Sequence, residues 1–240
     1  LLDVEGAKRN QSGQAQLGQQ QELMRRVEAA AASNRPVVYV SMGTVVTSDD
    51  AQHGWNAASG SGITGKDLCQ SVYRAVFEEL GAEEGSAEAD APLIAVSLGP
   101  QPEALEGVTV PPNAVCAAVV PQVDLLRLAK PALFVTNGGQ NSLMESMTVG
   151  TPVLVCPGFG DQLSNAAKVV ARGWGSKVDR PRADDEAAGT LAYQAMVRRG
   201  VREVFDSEEY PKQARLIAKG LGRAGGVDGA LRILVETSNQ

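Results

Sequence analysis

Short, almost continuous apolar runs recur along the chain, and they predict β-strands that are buried on both faces. Six such runs, the last of them weaker, lie at Val37–Ser41, Leu93–Ser97, Ala114–Val119, Leu133–Thr136, Val153–Cys156 and Ser176–Val178. Between the runs, apolar residues recur every three or four positions, which is the period of an amphipathic helix. This alternation predicts an α/β fold with a doubly wound, Rossmann-like parallel sheet.

Two helices are predicted from their first residues as well as from their periodicity. Thr64, followed three residues later by Asp67, predicts a capped helix over Gly65–Leu80, and Gly81 would end it. A second helix is predicted to begin at Asp161. The apolar side chains on its predicted core-facing side are Leu163, Ala166, Ala167 and Val170.

Composition and helix breakers divide the chain into three predicted parts. These are a linker with a short helix at 1–35, an α/β domain at 36–182, and C-terminal helices packing on the same domain at 183–240. Residues 6–20 are rich in Gln, Gly and Ser and are typical of a linker, and the short helix after them ends near Ala32. The tail from Asp184 onwards is predicted to be helical, with breaks at Pro211 and around Gly220–Gly229.

A polar segment rich in Gly, Ser and Asn follows the first strand, between Thr44 and Gly65. Ligands of doubly wound sheets bind beyond the carboxyl ends of the strands, so this segment is expected on the ligand side. Two interpretations stay open, namely a lid over a bound ligand and a disordered insertion with Trp55 as its only anchor. His53 in this segment is interpreted as an exposed loop residue.

Charge and cysteine usage narrow the possible partners. The net charge of −6 and the pI of about 5 disfavour nucleic acid, and no apolar run approaches the ~20 residues that span a bilayer. Cys69, Cys116 and Cys156 are predicted to be buried free thiols in a reducing compartment, which favours a cytoplasmic location. With one histidine, a Cys/His zinc site is disfavoured. The first residue, Leu1, is not a Met and suggests a piece of a longer chain.

The segment Phe134–Glu145 is the most informative for chemistry. An apolar strand leads into Gly138-Gly139 and then into a helix, so a phosphate could approach the backbone at the positive helix end. Asn141 could meet the phosphate, and Glu145, one turn deeper, could accept hydrogen bonds from ribose hydroxyls. This spacing suits a nucleoside diphosphate. The alternative is a tight turn with Asn141 as a helix cap.

A second candidate site lies at Asp161-Gln162, where another strand leads into a helix. Adjacent carboxylate and amide side chains suit the recognition of sugar hydroxyls, because together they supply donors and acceptors. The alternative is that Asp161 is only a helix N-cap. The chain has no GxGxxG after a strand and no Walker A motif, which disfavours a dinucleotide site.

Several motifs resemble the UDP-glycosyltransferase family, which includes plant secondary-product, bacterial macrolide and sterol glycosyltransferases. The matching stretches are Ser41–Thr44, Val119–Leu126, Phe134–Glu145, Gly150–Val153 and Asp161-Gln162. From Val119 to Gln162 the spacing equals that of the plant signature from its Trp to its final Gln, without a gap. Recognisable similarity covers most of the chain, from about Pro36 to Pro181.

The resemblance implies the two-domain GT-B fold, in which the C-terminal domain binds the nucleotide sugar and the N-terminal domain binds the acceptor. It therefore implies that the α/β domain at 36–182 is the nucleotide-sugar-binding domain. By position, the donor-binding residues would be Gly43, Thr44, Val119, Val120, Gln122, Asn137, Gly138, Gly139, Gln140, Asn141, Ser142, Glu145, Asp161 and Gln162. Val120 and Gln122 would contact uracil and ribose, and Glu145 would bind the ribose hydroxyls. Asp161 and Gln162 would contact the sugar, and a final Gln is the family's usual companion of glucose. The diphosphate would lie among Gly43, Thr44, Asn137, Gly139, Asn141 and Ser142.

Two positions depart from the family pattern. Val119 replaces the Trp that stacks on uracil, and Asn137 replaces the His before the two glycines. An aromatic platform contributes on the order of 1–3 kcal/mol per base, and an amide cannot carry a positive charge. We therefore expect an active but weaker donor site, in which Asn137→His raises donor affinity and turnover.

The resemblance implies transfer of a sugar, preferably from UDP-glucose, to a hydroxyl of a small lipophilic acceptor, with inversion and without metal or cofactor. The catalytic general base would be a His of the acceptor domain, in cis or in a partner subunit, so this chain alone would transfer poorly. One alternative is a partner-dependent N-acetylglucosaminyltransferase subunit. Another is a degenerate nucleotide-sugar-binding module without activity.

Overall fold

The fold is described from a computed structural model of the chain, which covers residues 4–58, 62–86, 91–181, 189–223 and 225–238. The strands are β1 (Val37–Ser41), β2 (Leu93–Ser97), β3 (Ala114–Ala117), β4 (Leu133–Thr136), β5 (Val153–Val155) and β6 (Gly175–Lys177). The helices are α1 (Val4–Ala32), α2 (Gly65–Leu80), α3 (Gln122–Ala129), α4 (Gln140–Val149), α5 (Asp161–Arg172), α6 (Thr190–Phe205), α7 (Glu209–Arg223) and α8 (Gly226–Ser238).

The strands form one parallel sheet in the order β3-β2-β1-β4-β5-β6. β1 pairs with β2 on one side and with β4 on the other, so the strand order reverses between β1 and β4. All carboxyl ends lie along the same edge of the sheet. The doubly wound, Rossmann-like α/β fold predicted from the apolar runs is therefore confirmed, and the reversal marks where such folds bind ligands.

The strands β1 to β5 bury side chains on both faces of the sheet, which explains their continuous apolar runs. Val38 and Val40 of β1 face the layer of α2 and α6, whereas Val37 and Tyr39 face the layer of α1, α3, α4, α5 and α7. The α2 helix follows the sequence prediction. Thr64 accepts the Asp67 amide at 3.1 Å and the Asp67 side chain accepts the Thr64 amide at 3.0 Å, which completes a capping box.

The first helix is longer than the sequence predicted. α1 runs from Val4 to Ala32, so the segment 6–20 is helical where a linker was expected. Gln is a good helix former, and the segment continues a helix whose Leu23 and Val27 are fully buried against the sheet. The bounds of the three predicted parts, 1–35, 36–182 and 183–240, stay a prediction, and so does the assignment of 36–182 to nucleotide-sugar binding.

The predicted core-facing side of α5 is wrong except at Ala166, which is buried. Leu163 is 51 % exposed and Val170 is 47 % exposed. The buried residues of the helix are Gln162, Asn165, Ala166 and Val169. Asn165 donates to the Gly138 carbonyl at 3.1 Å, so α5 turns polar side chains inward to bind loop backbone. A buried backbone group needs such a partner, and this requirement outweighs the apolar periodicity.

The helical tail breaks close to the predicted positions. Asp184, where the tail was predicted to begin, lies outside the described residues, as do Leu1, Leu2 and Asp3. α6 ends at Phe205 and α7 begins at Glu209, so Pro211 occupies the first turn of α7, where a missing amide hydrogen leaves no bond unmade.

Candidate functional site

A cleft of about 740 Å³ lies at the carboxyl edge of the sheet, beyond the ends of β1 to β5. Its walls come from the loops after these strands and from the first turns of α3, α4 and α5. The lining residues are Tyr39, Ser41, Gly43, Thr44, Val45, Thr47, Ser97, Gly99, Pro100, Ala118, Val119, Val120, Gln122, Asn137, Gly139, Gln140, Asn141, Ser142, Phe159, Asp161 and Gln162.

The cleft collects all of the predicted site residues except Gly138 and Glu145. Gly138 lies beneath the wall with φ +82°, and a Cβ atom there would stand 2.5 Å from Val155 Cγ1. Only glycine fits this turn, because the conformation and the space both exclude a side chain. Glu145 lies one helical turn after Asn141 on α4. Its carboxylate accepts a hydrogen bond from Gln122, which lines the cleft.

Gln122 is the centre of a hydrogen-bond network on the floor of the cleft. Its Oε1 accepts the Tyr39 hydroxyl at 3.1 Å, and its Nε2 donates to Ser142 Oγ at 3.1 Å and to Glu145 Oε2 at 2.7 Å. Burial raises the pKa of Tyr39 far above its usual value, so this hydroxyl stays a donor. The network fixes the orientation of the Gln122 amide and of the Glu145 carboxylate.

Two loops meet at Asn137 and Gly43. Asn137 is 4 % exposed, and its Oδ1 accepts the Gly139 amide at 3.2 Å. Gly43 has φ +74°, and a Cβ atom there would stand 2.7 Å from Asn137 Nδ2. Thr47 Oγ1 donates to the Gly43 carbonyl at 2.8 Å and holds the second loop in place. The loops after β1 and β4 therefore touch through a glycine and an amide.

The first turn of α4 faces the cleft without a side-chain cap. Its N-cap residue is Gly139, which has no side chain to accept the first amides, and no acidic residue lies in the first turn. The opening amide groups of a helix have no partner within it and carry a partial positive charge. Because Gln140 and Asn141 of this turn line the cleft, this end of α4 can bind an anion.

The first turn of α5 forms another wall. Gln162 is buried, and its Oε1 accepts the amides of Gly158 at 2.8 Å and Phe159 at 3.3 Å. Asp161 is exposed, and its Oδ2 accepts Asn165 Nδ2 at 3.1 Å. The Gln162 amide nitrogen and the Asp161 carboxylate are thus the groups of this pair that can meet a ligand.

The segment between β1 and α2 is packed against the domain over its described residues. Trp55 is fully buried and donates from Nε1 to Glu103 at 2.9 Å, while Val46 and Ile63 are buried beside it. The interpretation of Trp55 as the only anchor is therefore wrong. Thr44, Val45 and Thr47 of this segment line the cleft, as the ligand-side position predicted.

His53 was interpreted as an exposed loop residue, and this is wrong. It is half-buried, and its ring stacks on that of Phe159 with the centroids 4.1 Å apart and the planes 3° apart. Phe159 in turn lines the cleft. The sequence offered no pattern that could join residues so far apart.

Several lining residues were missed from the sequence. Tyr39 looked like one more apolar strand residue, and Thr47 like part of a polar loop. Ser97 is the last residue of β2, and Gly99 and Pro100 follow it, so their position at the end of a strand is a signal that could have identified them.

None of the three cysteines lines the cleft. All three are free, and burial raises the pKa of the Cys69, Cys116 and Cys156 thiols to about 12. Over the described ranges, no three His, Cys, Asp or Glu residues are grouped as metal ligands. In the same part of the chain, no helix is long and apolar enough to cross a membrane.

Comparison with known proteins agrees with this geometry. The family described as UDP-glucoronosyl and UDP-glucosyl transferase matches residues 85–191. An uncharacterized UDP-glucosyltransferase of Bacillus subtilis, YojK, is 29 % identical over 61 % of this chain and 34 % of its own length. Human UDP-glucuronosyltransferase 3A1 is 43 % identical over 38 % of this chain and 16 % of its own length. The chain thus spans about a third or less of these relatives.

Solved structures share the fold. Spinosyn forosaminyltransferase SpnP has a TM-score of 0.61 at 17 % identity, covering 86 % of this chain and 44 % of that protein. Os79 from O. sativa, solved in complex with UDP, has a TM-score of 0.57 at 19 % identity, covering 85 % and 40 %. The fold and the cleft thus define an α/β domain of the GT-B glycosyltransferase type. The resemblance to the UDP-glycosyltransferase family is confirmed by the family match over residues 85–191 and by these relatives.

Proposed function

We propose that this chain supplies the UDP-sugar site of an enzyme that transfers the sugar to a hydroxyl of a small, lipophilic acceptor. The observation that carries the proposal is the cleft, which gathers the family's donor-binding positions around an uncapped helix end at the reversal of strand order. A groove of this size accommodates a nucleotide sugar, because ligand pockets typically measure roughly 300–1,000 Å³.

The nucleoside end of the donor would lie over the Gln122 network. Glu145 would accept hydrogen bonds from the ribose hydroxyls, with Gln122 holding its carboxylate at 2.7 Å. The Val120 backbone would contact uracil. Since a carboxylate accepts but does not donate, this arrangement favours a ribose with both hydroxyls over a 2′-deoxyribose.

The diphosphate would lie at the first turn of α4. The amides that follow Gly139 supply partial positive charge, and Asn137 Nδ2 and Ser142 add neutral donors. Thr44 would close from the facing loop. The site stabilises the leaving UDP by oriented dipoles and not by a charged side chain, which is a weaker form of the same stabilisation.

The sugar would lie against the first turn of α5. The Asp161 carboxylate would accept hydrogen bonds from sugar hydroxyls, while Gln162 would donate from Nε2 because its Oε1 already binds two loop amides. We take UDP-glucose as the preferred donor. Transfer would proceed by inverting displacement without metal, with a general base from an acceptor domain in cis or in a partner, so this chain alone would bind donor and turn over poorly.

A degenerate nucleotide-sugar-binding module is the second candidate. Val119 favours it, because this residue stands where the family carries its stacking Trp and is 60 % exposed at the cleft. Asn137 favours it too, since an amide replaces the family's His. The two candidates share the donor site and differ in turnover.

Calorimetric titration with UDP, UDP-glucose, UDP-N-acetylglucosamine and dTDP-glucose tests the donor site. Glu145→Ala should weaken UDP binding at least about tenfold, since hydrogen bonds to a charged group contribute roughly 1.5–3 kcal/mol. It should also reduce the preference for UDP-glucose over dTDP-glucose, which lacks the ribose 2′-hydroxyl. Glu83→Ala removes an exposed glutamate outside the cleft and should leave binding unchanged.

The outcomes test the donor site that both candidates share. Absence of nucleotide binding by the folded chain would contradict the proposal. Binding that survives Glu145→Ala would place the nucleoside elsewhere.

For the stacking position, Val119→Trp should raise UDP affinity about five- to a hundredfold, because base stacking contributes roughly 1–3 kcal/mol. Binding that stays unchanged in this variant would mean that the base lies away from this rim.

A further inference from the structure

Two side chains, those of Gln162 and Arg180, fix the turn before α5 by hydrogen bonds to its backbone. Gln162 Oε1 accepts the amides of Gly158 and Phe159, and Arg180 Nη1 donates to the Gly158 carbonyl at 3.4 Å. This turn leads directly into Asp161. A turn fixed in this way presents the Phe159 side chain to the cleft at a defined place, next to the residues proposed to contact the sugar.

An aromatic stack on one face of the Phe159 ring also holds the ring in place. The imidazole of His53 lies parallel to it, with 4.1 Å between the centroids and 3° between the planes. His53 Nδ1 is buried without a hydrogen-bond partner, so packing, and not hydrogen bonding through this atom, accounts for the placement of the ring. Stacked aromatic pairs stabilise each other beyond the area they bury.

The loop that carries His53 is itself rigidly built. Asp50 Oδ1 accepts the amides of His53 at 2.7 Å and Gln52 at 3.0 Å, and the Gly54 amide donates to the Asp50 carbonyl at 2.9 Å. Next along the chain, the fully buried Trp55 anchors the loop. The His53 ring is therefore delivered to Phe159 by a fixed turn.

We propose that His53 determines sugar specificity by holding Phe159 as the wall against which the donor sugar packs. A pyranose has apolar C–H faces as well as hydroxyls, so it needs an apolar wall beside the polar pair Asp161 and Gln162 to settle in one orientation. His53 acts through Phe159 and is a positioning residue. This inference rests on the proposed donor site and extends it to a residue from the segment between β1 and α2.

The test compares two ligands that differ only by the sugar. UDP and UDP-glucose are titrated into the chain carrying His53→Ala, His53→Phe or Phe159→Ala. In His53→Ala, UDP affinity should stay within about twofold while UDP-glucose affinity falls about two- to tenfold, the range of one aromatic pair. His53→Phe retains the stack and should restore the ratio. Phe159→Ala should reproduce the loss, and the double alanine variant should add nothing further.

Each alternative result is decisive. An unchanged ratio of UDP-glucose to UDP affinity in His53→Ala would overturn the inference while leaving the donor site intact. Equal weakening of both ligands would overturn it as well, because it would mean a general structural role. Failure of His53→Phe to restore the ratio would exclude stacking as the cause. If the unmodified chain binds neither ligand, the proposed function itself fails.

Discussion

Gly43 offers the sharpest test of how the two loops of the cleft meet. Its φ is +74°, in the left-handed region, where an L-residue is disfavoured by roughly 1–2 kcal/mol. A Cβ atom there would also stand 2.7 Å from Asn137 Nδ2 and 3.0 Å from its Oδ1. Gly43→Ala therefore combines backbone strain with displacement of a buried amide.

The two contributions can be separated. Moving the Asn137 amide breaks its hydrogen bond to the Gly139 amide, a loss of about 1 kcal/mol. Gly62 is a matched control, because it has φ +69° and nothing within 4 Å of an added Cβ atom. We expect Gly43→Ala to destabilise the domain by about 2–3 kcal/mol and Gly62→Ala by about 1–2 kcal/mol at most.

Thermal unfolding measures this difference, since about 1 kcal/mol shifts the Tm of a chain of this size by roughly 2–4 °C. In an Asn137→Ala background the difference between the two alanine variants should vanish. UDP affinity should fall in Gly43→Ala and hold in Gly62→Ala. Equal Tm values for the two single variants would refute the contact between the loops.

Three further predictions test other parts of the domain. The fully buried Asn113 amide donates to two carbonyls at 2.8 and 2.9 Å and accepts a backbone amide at 2.7 Å. Asn113→Ala should therefore lower the free energy of unfolding, measured in urea, by about 3 kcal/mol. Tyr39→Phe removes one of the three hydrogen bonds of the Gln122 amide and should weaken UDP binding about three- to tenfold by calorimetry. As the control, its Tm should fall by no more than roughly 2–4 °C, the effect of one hydrogen bond. A pKa of about 12 keeps the buried Cys69 and Cys156 thiols protonated. Neither thiol should therefore react with a disulfide reagent at pH 8 until urea unfolds the chain. Rapid reaction in the native state would contradict their burial.

Five strands of the sheet, β1 to β5, could be predicted from the sequence because they are buried on both faces and are therefore mainly apolar. The edge strand β6 gave a weaker signal, since its residues Gly175–Lys177 are mostly not buried. α2 could be predicted to the residue, because Thr64 and Asp67 form a local signal that needs no tertiary information. α1 could not, since a Gln-rich segment is compatible with a linker or a helix, and the buried contacts of Leu23 and Val27 lie elsewhere in the chain. A local signal such as a capping box marks where a helix begins. Where no such signal exists, tertiary contacts decide how long the helix is.

The site was predictable where it follows strand ends in a fixed spacing. It was not predictable where it depends on contacts across the sheet. The stack of His53 on Phe159 and the bond from Tyr39 to Gln122 join residues more than eighty positions apart. The sequence indicated that the loop after β1 lies at the ligand-binding edge of the sheet, but it did not indicate which residues the loop contacts there.

The two departures from the family pattern differ in how the fold accommodates them. Val119 is 60 % exposed on the rim, so a larger aromatic side chain can replace it without repacking. Asn137 is 4 % exposed, binds the Gly139 amide and touches Gly43, so an imidazole would have to displace one loop or the other. A gain in affinity from Val119→Trp without a gain from Asn137→His would therefore indicate that the Gly43 loop has adapted to the amide. In that case, the loop after β1 and the residue before the two glycines form one unit, and both have to change to reach the family's more charged site.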